Sequence, residues 1–211
     1  EFLYKNGSSL KPFYTTLVTE TAYIPSFNND NTKIYLVTNK GDLDLTTLFL
    51  MDPLTGKMSK IESDPKNKVD FGSLFIDRNT RKIISTSYTS DKTETYWKDD
   101  SWEKNFSYLE SKFPGREIGL QSSTNDYSKF LISVSGDKYA SESYFFDVKT
   151  KDLIFQYTPR AELKKVEKFL TAMTPIAYKS SDDLEIPAYL SIPAGASGKN
   201  LPVVVLVHGG P

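Results

Sequence analysis

The sequence predicts a mainly β fold, in which a partial β-propeller of about three blades plus part of another precedes the first strands of an α/β domain. Three observations predict it. Similar strand-forming segments recur at a nearly constant period over residues 1–157. A helical pattern over residues 158–173 then interrupts the strands. Finally, residues 174–211 combine a hairpin pattern with an apolar run that suits a strand covered on both faces.

The composition excludes several classes of protein. The 211 residues include 26 basic and 27 acidic side chains, so the net charge of -1 favours neither nucleic acid nor an anionic membrane surface as a partner. The absence of cysteine excludes a disulfide scaffold, a thiolate zinc site and a cysteine nucleophile. The longest apolar run, Val203–Val207, is too short to span a membrane. We expect no cofactor, no metal and a soluble protein, with the compartment open between cytoplasm and bacterial periplasm.

The repeat is seen in the positions where strands begin. Polar turns lead into apolar segments that start at Ile34, Ile83 and Phe130, which are 49 and 47 residues apart. A second landmark, an aspartate after an aromatic strand, recurs at Asp52 and Asp147, 95 residues apart. Four short strands in roughly 40–50 residues are typical of a propeller blade. An antiparallel sandwich is the alternative, but a sandwich requires no such period.

The second repeat contains an insertion with helical periodicity. Ser101 is a candidate N-cap, and Pro114–Gly115 ends the pattern. The apolar side chains of one helical face are Trp102, Phe106, Leu109 and Phe113. These aromatic residues are compatible with a ligand platform, but such a stripe more often packs a helix onto its sheet.

The connecting helix is predicted over residues 158–173. Thr158–Pro159 resembles an N-cap followed by the first helical residue. Four apolar residues share one face, namely Leu163, Val166, Phe169 and Leu170. Lys164, Lys165 and Lys168 lie off that face, where we expect a solvated surface rather than an anion site.

The last predicted elements are a hairpin and a buried strand. The segments Ile176–Lys179 and Leu184–Ile192 flank a polar turn, and the second segment alternates between apolar and polar residues. Val203–Val207 is apolar on both faces, as in the middle of a covered parallel sheet. A hairpin that feeds such a strand is how an α/β-hydrolase sheet begins. Because the strand would have open edges, we expect it to pair with residues outside this sequence or to pack poorly.

The apolar run ends in His208-Gly209-Gly210-Pro211. Acyl transfer develops negative charge on a carbonyl oxygen, and a backbone N–H donor aimed at that oxygen contributes about 3–4 kcal/mol. Glycines after a buried strand allow the main chain to turn sharply and approach a substrate. In α/β-hydrolases the loop after the third strand supplies such a donor. The alternative is an ordinary glycine-rich turn between a strand and a helix.

Together with the repeats and the helix, the segments 182–190 and 201–211 resemble the prolyl oligopeptidase family of serine peptidases, in particular its acylaminoacyl-peptidase and dipeptidyl-peptidase-like branch. The resemblance implies a propeller that restricts access to a hydrolase domain, with short peptides as substrates. It also implies that Gly210 supplies the oxyanion N–H and Gly209 shapes the loop. His208 then supports the loop and is not the triad histidine, because in this fold the triad histidine follows the nucleophile along the chain.

The sequence departs from the family in lacking a nucleophile motif. No Gly-x-Ser-x-Gly is present, and Gly195-Ala196-Ser197-Gly198 has the wrong spacing. We therefore expect the chain to be incomplete and inactive alone, with the remaining hydrolase domain and further blades as its partners. An esterase of the same fold and a non-catalytic propeller that binds a partner remain alternatives.

Overall fold

The computed structural model describes residues 1–207. Within this range fifteen strands pair into five antiparallel sheets, and the chain divides into two compact units, Glu1–Asn105 and a second that begins at Phe106. The predicted mainly β fold, with a partial propeller, is confirmed.

The first unit contains a hairpin, a four-stranded sheet and a three-stranded sheet, each with its strands in sequence order. The hairpin is β1 (Phe2–Asn6) and β2 (Ser9–Tyr14). The four-stranded sheet is β3 (Ala22–Phe27), β4 (Ile34–Thr38), β5 (Thr47–Met51) and β6 (Met58–Glu62). The three-stranded sheet is β7 (Ser73–Ile76), β8 (Ile83–Thr89) and β9 (Thr93–Trp97).

The sheet β3–β6 is covered on both faces, as a propeller blade is by its neighbours. On one face Ile34 and Leu36 pack with Tyr14 of the β1–β2 hairpin. Because side chains alternate along a strand, Val37 points the other way, where it packs with Tyr88 of β8. Consecutive sheets are therefore stacked through their apolar faces.

The second unit contains a four-stranded sheet and, ahead of it, the part of a helix that follows Asn105. The helix α1 spans Asp100–Lys112. The sheet is β10 (Glu117–Ser123), β11 (Lys129–Gly136), β12 (Tyr139–Asp147) and β13 (Leu153–Tyr157). Phe106 of the helix lies against Phe130, whose ring centroid is 6.0 Å from that of Phe146 on the next strand.

The start of α1 differs from the prediction. Asp99, not Ser101, caps the helix, since its Oδ1 accepts hydrogen bonds from the backbone N–H groups of Ser101 and Trp102 at 2.9 and 3.3 Å. Trp102 is 5% exposed and meets the ring of Phe75 edge-on at 4.9 Å. Its aromatic face is used in packing and does not form an open platform.

Aspartate turns explain the repeat in the sequence. Asp30 Oδ1 accepts from the backbone N–H of Thr32, and Asp126 Oδ1 accepts from that of Ser128, just ahead of β4 and β11. Asp77, which precedes β8, has a different pattern: its Oδ1 accepts hydrogen bonds from the backbone N–H groups two and three residues further along the chain. Asp52 and Asp147 do the same. The predicted strand starts at Ile34 and Ile83 are confirmed, and β11 begins one residue before Phe130.

The connector is shorter than the predicted helix over residues 158–173. It contains α2 (Ala161–Val166) and a single 3-10 turn (Glu167–Phe169), and Arg160 occupies the N-cap position without a side-chain cap. Thr158–Pro159 therefore does not begin the helix. Phe169, which was predicted on the apolar face, is 64% exposed.

A hairpin of β14 (Thr174–Lys179) and β15 (Glu185–Leu190) follows the connector. Its antiparallel register pairs Ile176 with Ala188, as expected for the predicted hairpin. The proposed domain limits at residues 157 and 173 stay predictions.

Candidate functional site

The predicted oxyanion loop lies outside the described residues. This applies to His208, Gly209 and Gly210, so their roles stay predictions. The structure describes the segment that leads to them and a groove in the second unit.

The segment before the predicted oxyanion loop, Val203–Val207, is not the buried strand that its apolar pattern predicted. Val203–Val207 has no strand assignment, and its side chains are between 77% and 95% exposed. A strand buried on both faces needs paired neighbours and covering layers, and residues 1–207 provide neither for this segment. Its exposure agrees with the second expectation, that the segment packs poorly.

A groove of about 560 Å³ lies between the sheet β10–β13 and the connector. Small polar side chains of β11 and β12 line one wall, including Ser133 and Ser143, which are opposite each other in the strand register. Gly119 of β10 is opposite Ser133, and a Cβ there would lie 2.6 Å from the Ser133 Oγ, so the glycine leaves room for that hydroxyl. Arg160 and Leu163 of the connector line the other wall. The small side chains of this part of the sheet leave room for the groove between the sheet and the connector.

A charged cluster around Glu142 borders the groove. The Glu142 carboxylate accepts hydrogen bonds from Arg116 Nη1 at 2.8 Å and Tyr144 Oη at 3.0 Å, and it forms an ion pair with Lys164 Nζ. The Arg116 guanidinium also lies 4.0 Å from the ring centroid of Tyr139. Lys164 was predicted to lie on a solvated face; its side chain is 39% exposed, but it is paired with Glu142. Its neighbour Lys165 is also exposed, and none of the ion pairs among residues 1–207 involves it.

The partners of Glu142 determine its ionisation. Burial opposes the charged form, but hydrogen bonds from Lys164, Tyr144 and Arg116 outweigh it and hold the pKa of Glu142 below its ordinary value. The carboxylate is charged at neutral pH, and its oxygens are already bonded. Glu142 therefore acts as a fixed counter-ion and is unsuited to proton transfer near neutral pH.

The first unit contains a similar carboxylate, Glu62. Lys98 Nζ lies 2.7 Å from it, and the hydroxyls of Thr86 and Tyr88 donate to Oε1 at 2.6 and 3.1 Å. Burial again opposes ionisation, but these donors hold the pKa of Glu62 below its ordinary value. This network joins β6, β8 and the residue after β9, so its role is to connect strands.

Within the described range 1–207, no cluster of three or more histidine, cysteine, aspartate or glutamate side chains could hold a metal ion. None of the helices in that range is both long and apolar enough to cross a membrane.

The chain is similar to known peptidases. It is 26% identical to dipeptidyl aminopeptidase BIII of Pseudoxanthomonas mexicana in an alignment of 193 residues that covers 86% of this chain and 27% of that protein. It is 22% identical to dipeptidyl peptidase family member 6 of Caenorhabditis elegans in an alignment of 207 residues that covers 88% of this chain and 27% of that protein. No family model matches the chain.

The solved structures add evidence on the fold. A structure from a study of two prolyl endopeptidases matches 92% of this chain and 27% of its own, with a TM-score of 0.56 and 13% identity. The resemblance to the prolyl oligopeptidase family is confirmed. The prolyl oligopeptidase-like chain spans about a quarter of the length of the relatives it matches.

Sequence reasoning missed the Glu142 cluster. A usable signal was present, because Glu142 lies between Ala140 and Tyr144 on the strand face that also carries Phe146. A charged residue on an otherwise apolar face requires a partner. The sequence does not reveal which distant residue that partner is.

Proposed function

We propose that this chain is the propeller-to-hydrolase segment of a serine peptidase that hydrolyses short peptides by acyl transfer. The observation that carries the proposal is the similarity of 86% of the chain to 27% of a dipeptidyl aminopeptidase. The stacked sheets of the first unit support the propeller part, and the β14–β15 hairpin supports the start of the hydrolase part. The names of both curated relatives favour release of dipeptides as the reaction of the whole protein.

In this proposal the main chain after Val207 contributes to catalysis. The N–H of Gly210 donates to the oxyanion of the tetrahedral intermediate, Gly209 allows the turn, and His208 holds the loop. The domain limits are 1–157 for the partial propeller, 158–173 for the connector and 174–211 for the start of the hydrolase domain. The rest of the hydrolase domain and further blades are the partners that complete the enzyme.

The chain is proposed to be inactive by itself. It has no Gly-x-Ser-x-Gly motif, so it lacks the serine whose Oγ would attack the substrate carbonyl. We expect neither turnover of a dipeptide anilide nor labelling by a fluorophosphonate probe with the 211-residue chain. Turnover by this chain alone would refute that part of the proposal.

The oxyanion role is tested in a longer polypeptide that contains this sequence and turns over the same substrate. Gly210→Pro removes the N–H donor and should lower kcat by about 10²–10³-fold, with a smaller effect on KM. Ser197→Ala is the control, because Ser197 is flanked by glycines at the wrong spacing and should be dispensable. An unchanged kcat for Gly210→Pro would refute the oxyanion assignment.

The same polypeptide separates the alternative functions. A non-catalytic binding propeller predicts no fluorophosphonate labelling. An esterase predicts labelling with much faster hydrolysis of esters than of matched amides.

A further inference from the structure

The segment Pro159–Met173, here called the strap, runs from the end of β13 to the start of β14 and forms one wall of the groove. Apolar packing holds it weakly. Neither α2 nor the 3-10 turn contains a buried residue, and Val166 and Phe169 are 42% and 64% exposed. Since burial of apolar area is the usual source of attachment, the strap requires another one.

Polar contacts provide that attachment at three points along the strap. Near its middle, Lys164 pairs with Glu142 of β12. One turn later, Glu167 Oε1 accepts a hydrogen bond of 2.9 Å from the backbone N–H of Ala140. At the end, the N–H of Met173 donates to Asp137 Oδ2 at 2.7 Å. Each contact joins the strap to the β11–β12 hairpin, and each involves a carboxylate.

Breaking the Lys164–Glu142 pair leaves neither side chain as a buried charge without a partner or solvent. Glu142 keeps Arg116 and Tyr144 as partners when Lys164 leaves, so the sheet retains a compensated carboxylate. Lys164 is 39% exposed, and its other carboxylate neighbour is Glu167 at 4.0 Å. Release of the strap therefore exposes no uncompensated buried charge, which would otherwise make release costly.

We propose that the strap is an ionically fastened cover, and that its release from the β11–β12 hairpin opens the groove while the sheet stays folded. The Lys164–Glu142 pair is the contact most sensitive to salt, because it is the ion pair between a partly exposed side chain and the sheet. This inference does not depend on the proposed peptidase function.

Amide hydrogen exchange of the full 211-residue chain tests the proposal. In Lys164→Gln we expect the amides of residues 161–173, including the fastening N–H of Met173, to exchange about three- to tenfold faster than in the wild type. Lys165→Gln is the matched control, because it makes the same change in the next residue, which is also exposed but takes part in none of the ion pairs among residues 1–207. Lys164→Arg should restore slow exchange. The amides of the β11–β12 ladder, such as Ile132, should be unchanged in every variant.

Salt gives a second readout. About 1 M sodium chloride, where the Debye length is about 3 Å, should accelerate exchange of the strap in the wild type but add little in Lys164→Gln. Equal exchange in Lys164→Gln and Lys165→Gln would overturn the proposal. So would equal acceleration of the strap and the ladder, because Lys164 would then stabilise the whole sheet.

Discussion

Replacing Glu142 by glutamine is expected to destabilise the second unit by about 2–3 kcal/mol at neutral pH. The amide retains an acceptor for Tyr144 but removes the charge that faces Arg116 and Lys164. The Lys164 side chain is 39% exposed, so solvent screens that pair and it contributes the smaller share. The Arg116 side chain is 19% exposed and would lose its counter-ion in a partly buried site, which accounts for most of the loss.

The effect of Glu142→Gln should depend on pH. The folded-state pKa of Glu142 lies below its ordinary value of 4.5, because the donors outweigh burial. A group of this kind stabilises the fold fully above the ordinary pKa, and this stabilisation is lost as the pH falls through the folded pKa. The difference between the wild type and Glu142→Gln should therefore be largest at neutral pH and shrink as the pH falls below the ordinary pKa of 4.5.

Urea unfolding followed by far-UV circular dichroism at several pH values measures this difference. Glu117→Gln is a suitable control, since it removes an exposed carboxylate from the first residue of β10 in the same sheet. The reasoning is refuted if Glu142→Gln costs no more than Glu117→Gln at neutral pH. It is also refuted if the cost of Glu142→Gln is the same at acidic and neutral pH.

Three further substitutions test other parts of the structure. Leu109 of α1 is 0% exposed, so Leu109→Ala should lower the free energy of unfolding in urea by about 2–4 kcal/mol. A loss below about 1 kcal/mol would contradict the burial of this helix face. Gly72→Ala places a Cβ 2.6 Å from the carbonyl oxygen of Ser87, so we expect a loss of about 1–3 kcal/mol, and an unchanged unfolding midpoint would contradict the close approach. Val205→Lys should reduce self-association of the chain in light scattering as concentration rises, because Val205 is 77% exposed within an apolar run; a wild type that stays monomeric throughout would contradict this.

The strand starts could be predicted because the signals that set them are local. The side chain of Asp30 bonds to Thr32, two residues away, and Asp126 bonds in the same way to Ser128. Such turns fix the chain just before each strand, so their residue types alone indicate where a strand begins. The cap of α1 was misplaced by two residues, because Ser101 and Asp99 are both good N-cap residues. The local signal thus located the start of the helix but not the residue that caps it.

The candidate site could not be predicted in the same way, because its contacts are distant in sequence. Lys164 and Glu142 are 22 residues apart and belong to a helix and a strand, so no periodicity relates them. The lysine looked solvated because it lies off the apolar face of its own helix. Its partner is decided by where the strap crosses the edge of β12, which only the folded structure shows.

The segment Val203–Val207 shows what an apolar pattern specifies. Burial of a valine or leucine side chain contributes about 1.5–3 kcal/mol to stability. The five side chains of this segment are 77–95% exposed, so most of this burial free energy is not gained. The pattern therefore indicates the environment that the segment prefers, a paired strand covered on both faces, and not the environment that residues 1–207 provide. In our proposal the rest of a hydrolase domain supplies the neighbouring strands and the layers that cover this segment. The same burial that stabilises this strand would then also position the glycine loop that follows it.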